Sequence, residues 1–419
     1  MKLSRFGERY TRHSGIVDLM DDLGSALLGN PNMIMMGGGN PARIPAVEAL
    51  FQRHLHTIIN DPERCFAMLG RYQGPMGDEQ VRSLLAGLLQ AEYGWQVTAA
   101  NIVVTNGSQS AFSILANMLA GEGSANQNQV IQFPLTPEYL GYTDTGLVEN
   151  FFTATKPSIQ LLADNMFKYR VDFENLTIAD NVAALCVSRP TNPSGNVLTD
   201  EEVLKLDNLA RTKAIPLILD VAYGLPFPGI QFTAANAYWS DNVIMLASLS
   251  KLGLPGLRSG FLIASEEMAK AFSCVNTILN LASGNTGAAL ATSLLRTGDL
   301  IRLGGAVLRP WYSQKAELAV TCLQAALGTV PFHIHKPEGA FFLWLWLPGL
   351  PITCVQLFEK LKAAGVLVIP GHTSFPGLQE PWQHTQQCIR ISYAVDAQVL
   401  QKGLQMIGRV VQEVYANAG

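Results

Sequence analysis

At 419 residues the chain exceeds one ordinary core, so two domains are expected. Apolar residues make up 48% and charged residues 15%, which excludes a disordered chain. A formal charge of −4 is too mild to point to nucleic acid or a membrane surface as partner. The polar start, Met1 to Ser14, carries Arg5, Arg9 and Arg12 with no apolar run after it, so no secretory leader is expected. The longest greasy strings, such as Ala340 to Leu347, are too short to span a bilayer. Cys65, Cys186, Cys274, Cys322, Cys354 and Cys388 are scattered without close pairs, which reads as buried, reduced thiols in the cytoplasm.

The stretch up to Pro45 is rich in glycine and proline and reads as an arm. Asn101 to Thr105 reads as a strand, followed by Gly107 and a helix over 108–119. Asn128 to Phe133 and the unbroken apolar run Val182 to Ser188 are further strands, the latter suited to a sheet covered on both faces. Thr199-Asp200-Glu201-Glu202 starts a helix that runs to about Lys213, with a hydroxyl N-cap and a glutamate three residues on. Ile215 to Leu219 and Val243 to Ala247 follow as strands, and the alternation predicts a mostly parallel sheet with helices on both sides. Helices are expected over 287–296 and 309–327. Strands at 333–335 and 340–346 are joined through a turn at Pro337-Glu338-Gly339. A helix over 355–364, strands at 366–369 and 388–393 and a closing helix over 399–415 complete a smaller α+β unit. The expected division is an arm and small-domain segment over 1–45, a large domain over 46–300 and a small domain over 301–419.

Several segments carry residues suited to holding one anionic, electrophilic cofactor, pyridoxal phosphate. In Ser248-Leu249-Ser250-Lys251-Leu252-Gly253-Leu254-Pro255-Gly256-Leu257-Arg258, one lysine stands in a bent stretch with hydroxyls before it and an arginine after it. An amine held beside an anion site is what a Schiff base to a phosphate-bearing aldehyde needs. Asn106-Gly107-Ser108-Gln109 lies between a strand and a helix start, where unpaired N–H groups and the helix dipole favour a phosphate. Ser248 and Arg258 add a hydroxyl and a forked cation. Asp220, ending a strand, is placed to pair with a protonated pyridine nitrogen. Tyr223 and Asn192 are candidates for the phenolic oxygen, and Tyr139 for stacking on the ring face. Asn192-Pro193-Ser194-Gly195 is a sharp turn, for which a cis bond before Pro193 is expected. Arg390, in the apolar run Cys388-Ile389-Arg390-Ile391, suits bidentate capture of a substrate carboxylate, the alternative being an edge-strand arginine facing water.

In that order, Asn192, Asp220 with Tyr223, Lys251, Arg258 and Arg390 resemble the site of the class I and II aminotransferases of fold type I. The likeness extends over essentially the full length, through Thr11-Arg12-His13-Ser14-Gly15, Gly37 to Pro41, Pro190 to Gly195, Pro226-Phe227-Pro228-Gly229 and Lys336 to Trp346. The resemblance implies a large domain with a mostly parallel seven-stranded sheet plus a smaller α+β domain. It also implies a homodimer with sites at the interface. Tyr72, in Arg71-Tyr72-Gln73-Gly74-Pro75-Met76-Gly77, matches the tyrosine that reaches the neighbouring subunit's phosphate, and Gly39 matches an arm glycine near the substrate carboxylate. The turn has Ser194 where many relatives have threonine, a change between hydroxyl residues. The implied reaction is a ping-pong transfer of an amino group between small apolar amino acids, such as valine and alanine, and 2-oxo acids, with Lys251 moving the proton.

Two alternatives stay open: a lyase using the same cofactor on the same fold, and a ligand-sensing regulator with an aminotransferase-like body. For the regulator, the early position of the arm and Tyr72 leaves no room for a DNA-binding head. Gly37-Gly38-Gly39-Asn40-Pro41 imitates a dinucleotide fingerprint, but Pro41 falls where the turn should open into a helix. His54/His56 and His333/His335 lack a nearby third ligand, so no metal is expected. Trp344 and Trp346 read as core.

Overall fold

A computed structural model describes residues 1–12, 14–17, 20–21, 24, 32–123 and 127–417; His13 of the arm motif lies outside them. The central sheet runs Ile102–Thr105, Gly260–Ile263, Val243–Ser248, Leu217–Asp220, Val182–Ser188 and Asn128–Phe133. Phe152–Ala154 pairs parallel with Asn128–Phe133, and the two-residue Gly121–Glu122 pairs antiparallel with it. Val243–Ser248, Leu217–Asp220, Val182–Ser188 and Asn128–Phe133 are mutually parallel, whereas Gly260–Ile263 is antiparallel to both its neighbours. Val182–Ser188 is buried almost throughout, as an unbroken apolar run inside a doubly covered sheet should be.

Local signals place most of the expected elements within a residue or two. The helix Asp200–Thr212 starts on a reciprocal cap: Glu202 N–H donates to Thr199 Oγ1 at 3.1 Å and Thr199 N–H to Glu202 Oε2 at 2.8 Å. The expected strand at 366–369 is two short pieces. Val366–Leu367 pairs parallel with Ile34–Met35 of the arm, and Ile369–Pro370 pairs with Cys388–Ser392.

A second sheet runs Ile369–Pro370, Cys388–Ser392, Phe342–Trp346, His333–His335, Met166–Arg170 and Ser158–Leu161. Its last two strands form a hairpin from the middle of the chain. The long helices Arg309–Leu327 and Ala397–Ala416 pack against each other, the latter burying Leu400, Leu404, Ile407, Val411 and Val414 at helical spacing.

Three expectations are corrected. Among the described residues the central sheet has eight strands rather than seven, because the two-residue Gly121–Glu122 also pairs at its edge. The bond before Pro193 is not among the cis peptides, which precede Pro137, Pro190, Pro226 and Pro228. Asn192 is aimed instead by a tight turn. Gly195 N–H donates to Thr191 O and Thr191 N–H to Asn196 O, both at 2.8 Å, and Gly195 has a φ of 72°. The six cysteines are free, but they are not uniformly buried: Cys274 is exposed on the outer face of the helix Glu266–Asn280, where amphipathic packing turns inward only Ala269, Phe272, Ser273 and Asn276.

Candidate active site

The site sits where the parallel strands of the central sheet end. Asp220 and Ser248 are the last residues of their strands, and Gly107 and Ser108 follow the end of Ile102–Thr105. Strand ends at one edge open a crevice that the second sheet covers. A cavity of about 650 Å³ there is lined by Gly39, Ser108, Gln109, Tyr139, Asn192, Asp220, Tyr223, Ser248, Lys251, Arg258 and Arg390 among others. Thus residues from distant parts of the chain converge on one cavity. Gly107 adjoins this group without lining the cavity. Tyr72 is not brought in: it follows the helix Pro62–Gly70 and is 83% exposed.

Lys251 lies on a single 3₁₀ turn and donates from Nζ to Gly39 O at 2.7 Å. Burial, reinforced by the cationic Arg390 and Arg258, pulls its pKa down to about 8, with Asp220 acting the other way. Asp220 is buried. Its Oδ1 accepts from Ala222 N–H at 2.7 Å and its Oδ2 from the Tyr142 hydroxyl. Burial raises its pKa, against the lowering effects of Tyr142, Ala222 and Lys251. Lysine and carboxyl are therefore each pushed toward the neutral form, and a cation beside Asp220 would restore its charge.

Arg390 is 2% exposed, which sets aside the solvent-facing alternative: its strand lies between Ile369–Pro370 and Phe342–Trp346. Nη1 donates to Asn192 Oδ1 and Nη2 to Gly37 O, both at 2.7 Å, and the guanidinium carbon stands 4.3 Å from the Phe342 ring centroid. Its buried Nε has no hydrogen-bond partner among the described residues. Arg390 lines the cavity, where a forked guanidinium suits a ligand carboxylate.

The anion end is defined by backbone conformation. Arg258 has φ 46°, unusual for a residue with a side chain, and it brings the guanidinium against Gly107. Gly107 has φ 93°, and a β-carbon there would lie 2.9 Å from Arg258 Nη2. Gly107 caps the helix Ser108–Leu119, whose first N–H groups face the same space. Ser248 Oγ accepts from Ser250 N–H at 3.1 Å and shapes the turn leading to Lys251.

Sequence reasoning missed Tyr142 and Glu138. The 3₁₀ turn Leu140–Tyr142 puts Tyr142 against Asp220, and the Tyr-x-x-Tyr spacing from Tyr139 was the available signal. Glu138 is fully buried, accepting from Ser188 N–H at 2.8 Å and Ser188 Oγ at 2.6 Å; burial raises its pKa to about 8.

The family model for aminotransferase class I and II matches residues 39–407. The chain is 46% identical over 418 residues, the whole of both proteins, to the valine–pyruvate aminotransferase of Escherichia coli K12. The crystal structure of valine-pyruvate aminotransferase from Salmonella typhimurium LT2 superimposes with a TM-score of 0.88 at 43% identity, covering 96% of this chain and 100% of that one. A Psychrobacter arcticum 273-4 protein, provisionally described as an amino-acid aminotransferase, gives a TM-score of 0.96 at 43% identity with both chains fully covered. The chain belongs to the class I and II aminotransferases. It is a fold type I aminotransferase, and its cofactor is pyridoxal phosphate. The residues present fit that group: a glycine-opened cradle beside Arg258, an amine with lowered pKa and a buried carboxyl short of a cation.

Proposed function

We propose that this aminotransferase exchanges the amino group of valine with pyruvate, giving 2-oxoisovalerate and alanine by a ping-pong route. The observation that carries the reading is that Lys251 and Arg390 share one cavity whose wall also carries the apolar Ile16, Met20, Met35, Pro41, Ala394 and Val395. Among the described lining residues, Arg258 and Arg390 are the guanidinium groups, so a second substrate carboxylate has no forked partner of its own. The full-length relative from Escherichia coli bears the name of this reaction.

Bound pyridoxal phosphate supplies an electron sink for the charge left at the substrate α-carbon. In our reading Lys251 would be the residue that holds this group, and its Nζ, when neutral, would take the substrate α-proton and return it. A pKa near 8 keeps that amine poised at working pH. Asp220, steadied by Tyr142, would keep the ring nitrogen charged, and Asn192 and Tyr223 would be the partners for the phenolic oxygen. Tyr139 would support the ring, while Gly107, Ser108, Gln109, Ser248 and Arg258 would hold the phosphate. Arg390, with Asn192 and the backbone of Gly39, receives the substrate carboxylate.

The active form in this reading is a homodimer in the cytoplasm. Phe66, Leu69, Tyr72, Ile278 and Leu281 are exposed, and Asn285 ties their two segments together by donating to Ala67 O at 3.3 Å and Arg71 O. An apolar patch of this kind suits a second copy, with the partner's Tyr72 completing the phosphate site. Free thiols fit a reducing compartment.

The test is the half-reaction across a panel of amino acids. Valine and alanine are expected to convert the bound cofactor to its amine form with release of the 2-oxo acid. Release of ammonia with the aldehyde retained would assign a lyase instead. Conversion by aspartate at a rate matching valine would overturn the apolar preference.

A further inference from the structure

Lys168 and Glu338 form an ion pair whose side chains are each 5% exposed, and the mechanism above does not use it. Both residues belong to the second sheet: Lys168 to the strand Met166–Arg170 and Glu338 to the connection between His333–His335 and Phe342–Trp346. Their hydrogen bonds cross to the central-sheet side. Lys168 Nζ donates to Asn196 Oδ1 and Val197 O, both at 3.0 Å, and to Glu338 Oε2. An ammonium has three donors, so all are taken. Glu338 Oε2 also accepts from Val197 N–H at 3.1 Å.

Asn196 and Val197 are the exit of the turn that carries Asn192. That turn is pressed onto the same connection, for a β-carbon on Gly195 would lie 2.7 Å from Gly339 O. Asn192 in turn holds Arg390, which lies on Cys388–Ser392 of the same sheet as Lys168. The contacts close a ring: sheet, ion pair, turn, Asn192, Arg390, sheet. Buried ion pairs seldom add net stability over apolar residues of similar volume. This one does what an apolar pair is unable to do, because it meets a side-chain carbonyl, a backbone carbonyl and a backbone N–H at once.

We propose that Lys168 and Glu338 are positioning residues that set Asn192 against Arg390 and so keep the guanidinium aimed at the substrate carboxylate. The inference rests on Arg390 being the carboxylate receptor. The test compares the unaltered holoenzyme with Glu338→Gln and with the double variant Lys168→Met/Glu338→Leu, which removes both charges together. The readouts are melting temperature, KM and kcat for valine and pyruvate, and the dissociation constant of isovalerate, a carboxylate that cannot react. The double variant leaves the polar groups of Asn196 and Val197 without these partners, so it is expected to melt several degrees below the parent while still folding, and to weaken isovalerate and raise both KM values by about ten-fold, with kcat down less than about three-fold. Glu338→Gln, which keeps an acceptor, is expected to show about a three-fold weakening. A folded sample of either variant that binds isovalerate as the parent does overturns the proposal, as does a fall in kcat at unchanged KM. Arg390→Lys is run alongside. Unchanged isovalerate binding there removes the carboxylate reading itself, whereas weakened binding there with normal binding in the pair variants removes only the positioning role.

Discussion

The two ends of the cavity are built in different ways. At the cofactor end, Ser108, Asp220 and Ser248 hang from the ends of neighbouring or near-neighbouring strands in one sheet, and the sheet's register sets their spacing. At the proposed carboxylate end, Gly37, Asn192 and Arg390 come from the arm, a turn and the second sheet, and side-chain hydrogen bonds set their spacing. A rigid floor suits a cofactor that stays; a corner assembled from three segments suits substrates that come and go. The first arrangement depends on backbone, the second on packing between lobes.

That contrast can be broken at several points. Lys251→Ala is expected to lower turnover by at least about a thousand-fold, since it removes the proposed covalent partner and proton carrier together. Reduction of the parent with borohydride should place the cofactor label on Lys251, and a label elsewhere removes it from the mechanism. Asp220→Ala should lower turnover by about a hundred-fold or more and loosen the cofactor, with the strand geometry intact. Near-normal kinetics would show that the floor does not work through that carboxyl.

Gly107→Ala tests the cradle. The added β-carbon meets Arg258 at 2.9 Å on a backbone with φ 93°, and the expected result is a cofactor dissociation constant raised by about ten-fold, read by titrating the apoenzyme. Parent-like affinity would mean that Arg258 moves aside without loss.

Glu138 gives the smallest effect and a sign that can be worked out. Its folded pKa of about 8 lies above the ordinary carboxylate value, so the folded state holds a proton that the unfolded chain has lost. The group's contribution to stability is present at low pH and falls as pH rises from the unfolded value through about 8. Glu138→Gln should therefore melt progressively higher relative to the parent as pH climbs through that window. A constant difference across the range would mean that Glu138 is not protonated at neutral pH.

The sheet that carries the floor was readable because each of its clues is local. The apolar run Val182–Ser188 and the Thr199–Glu202 cap each declare themselves within a few residues. Lys251 and Arg258 share one short bent stretch, and Asp220 ends its own strand. The antiparallel strand Gly260–Ile263 and the hairpin Ser158–Leu161 with Met166–Arg170 were not readable, since partners far along the chain decide their direction and sheet. Tyr142 escaped because its role depends on a carboxyl 78 residues away. The aim of Asn192 was misread as a cis bond because two hydrogen bonds across the turn do that work.

From the sequence by itself came the candidate cofactor-binding residues and, through the order in which they fall, the resemblance to fold type I aminotransferases: local propensity and motif spacing survive in one dimension. Only the folded chain decided that Arg390 is buried with an Nε lacking a partner among the described residues, that a β-carbon on Gly107 would crowd Arg258, and that Lys168 and Glu338 close behind Asn192. Those facts depend on which distant surfaces exclude water together, and exclusion of water is a property of packing that no single stretch of residues encodes.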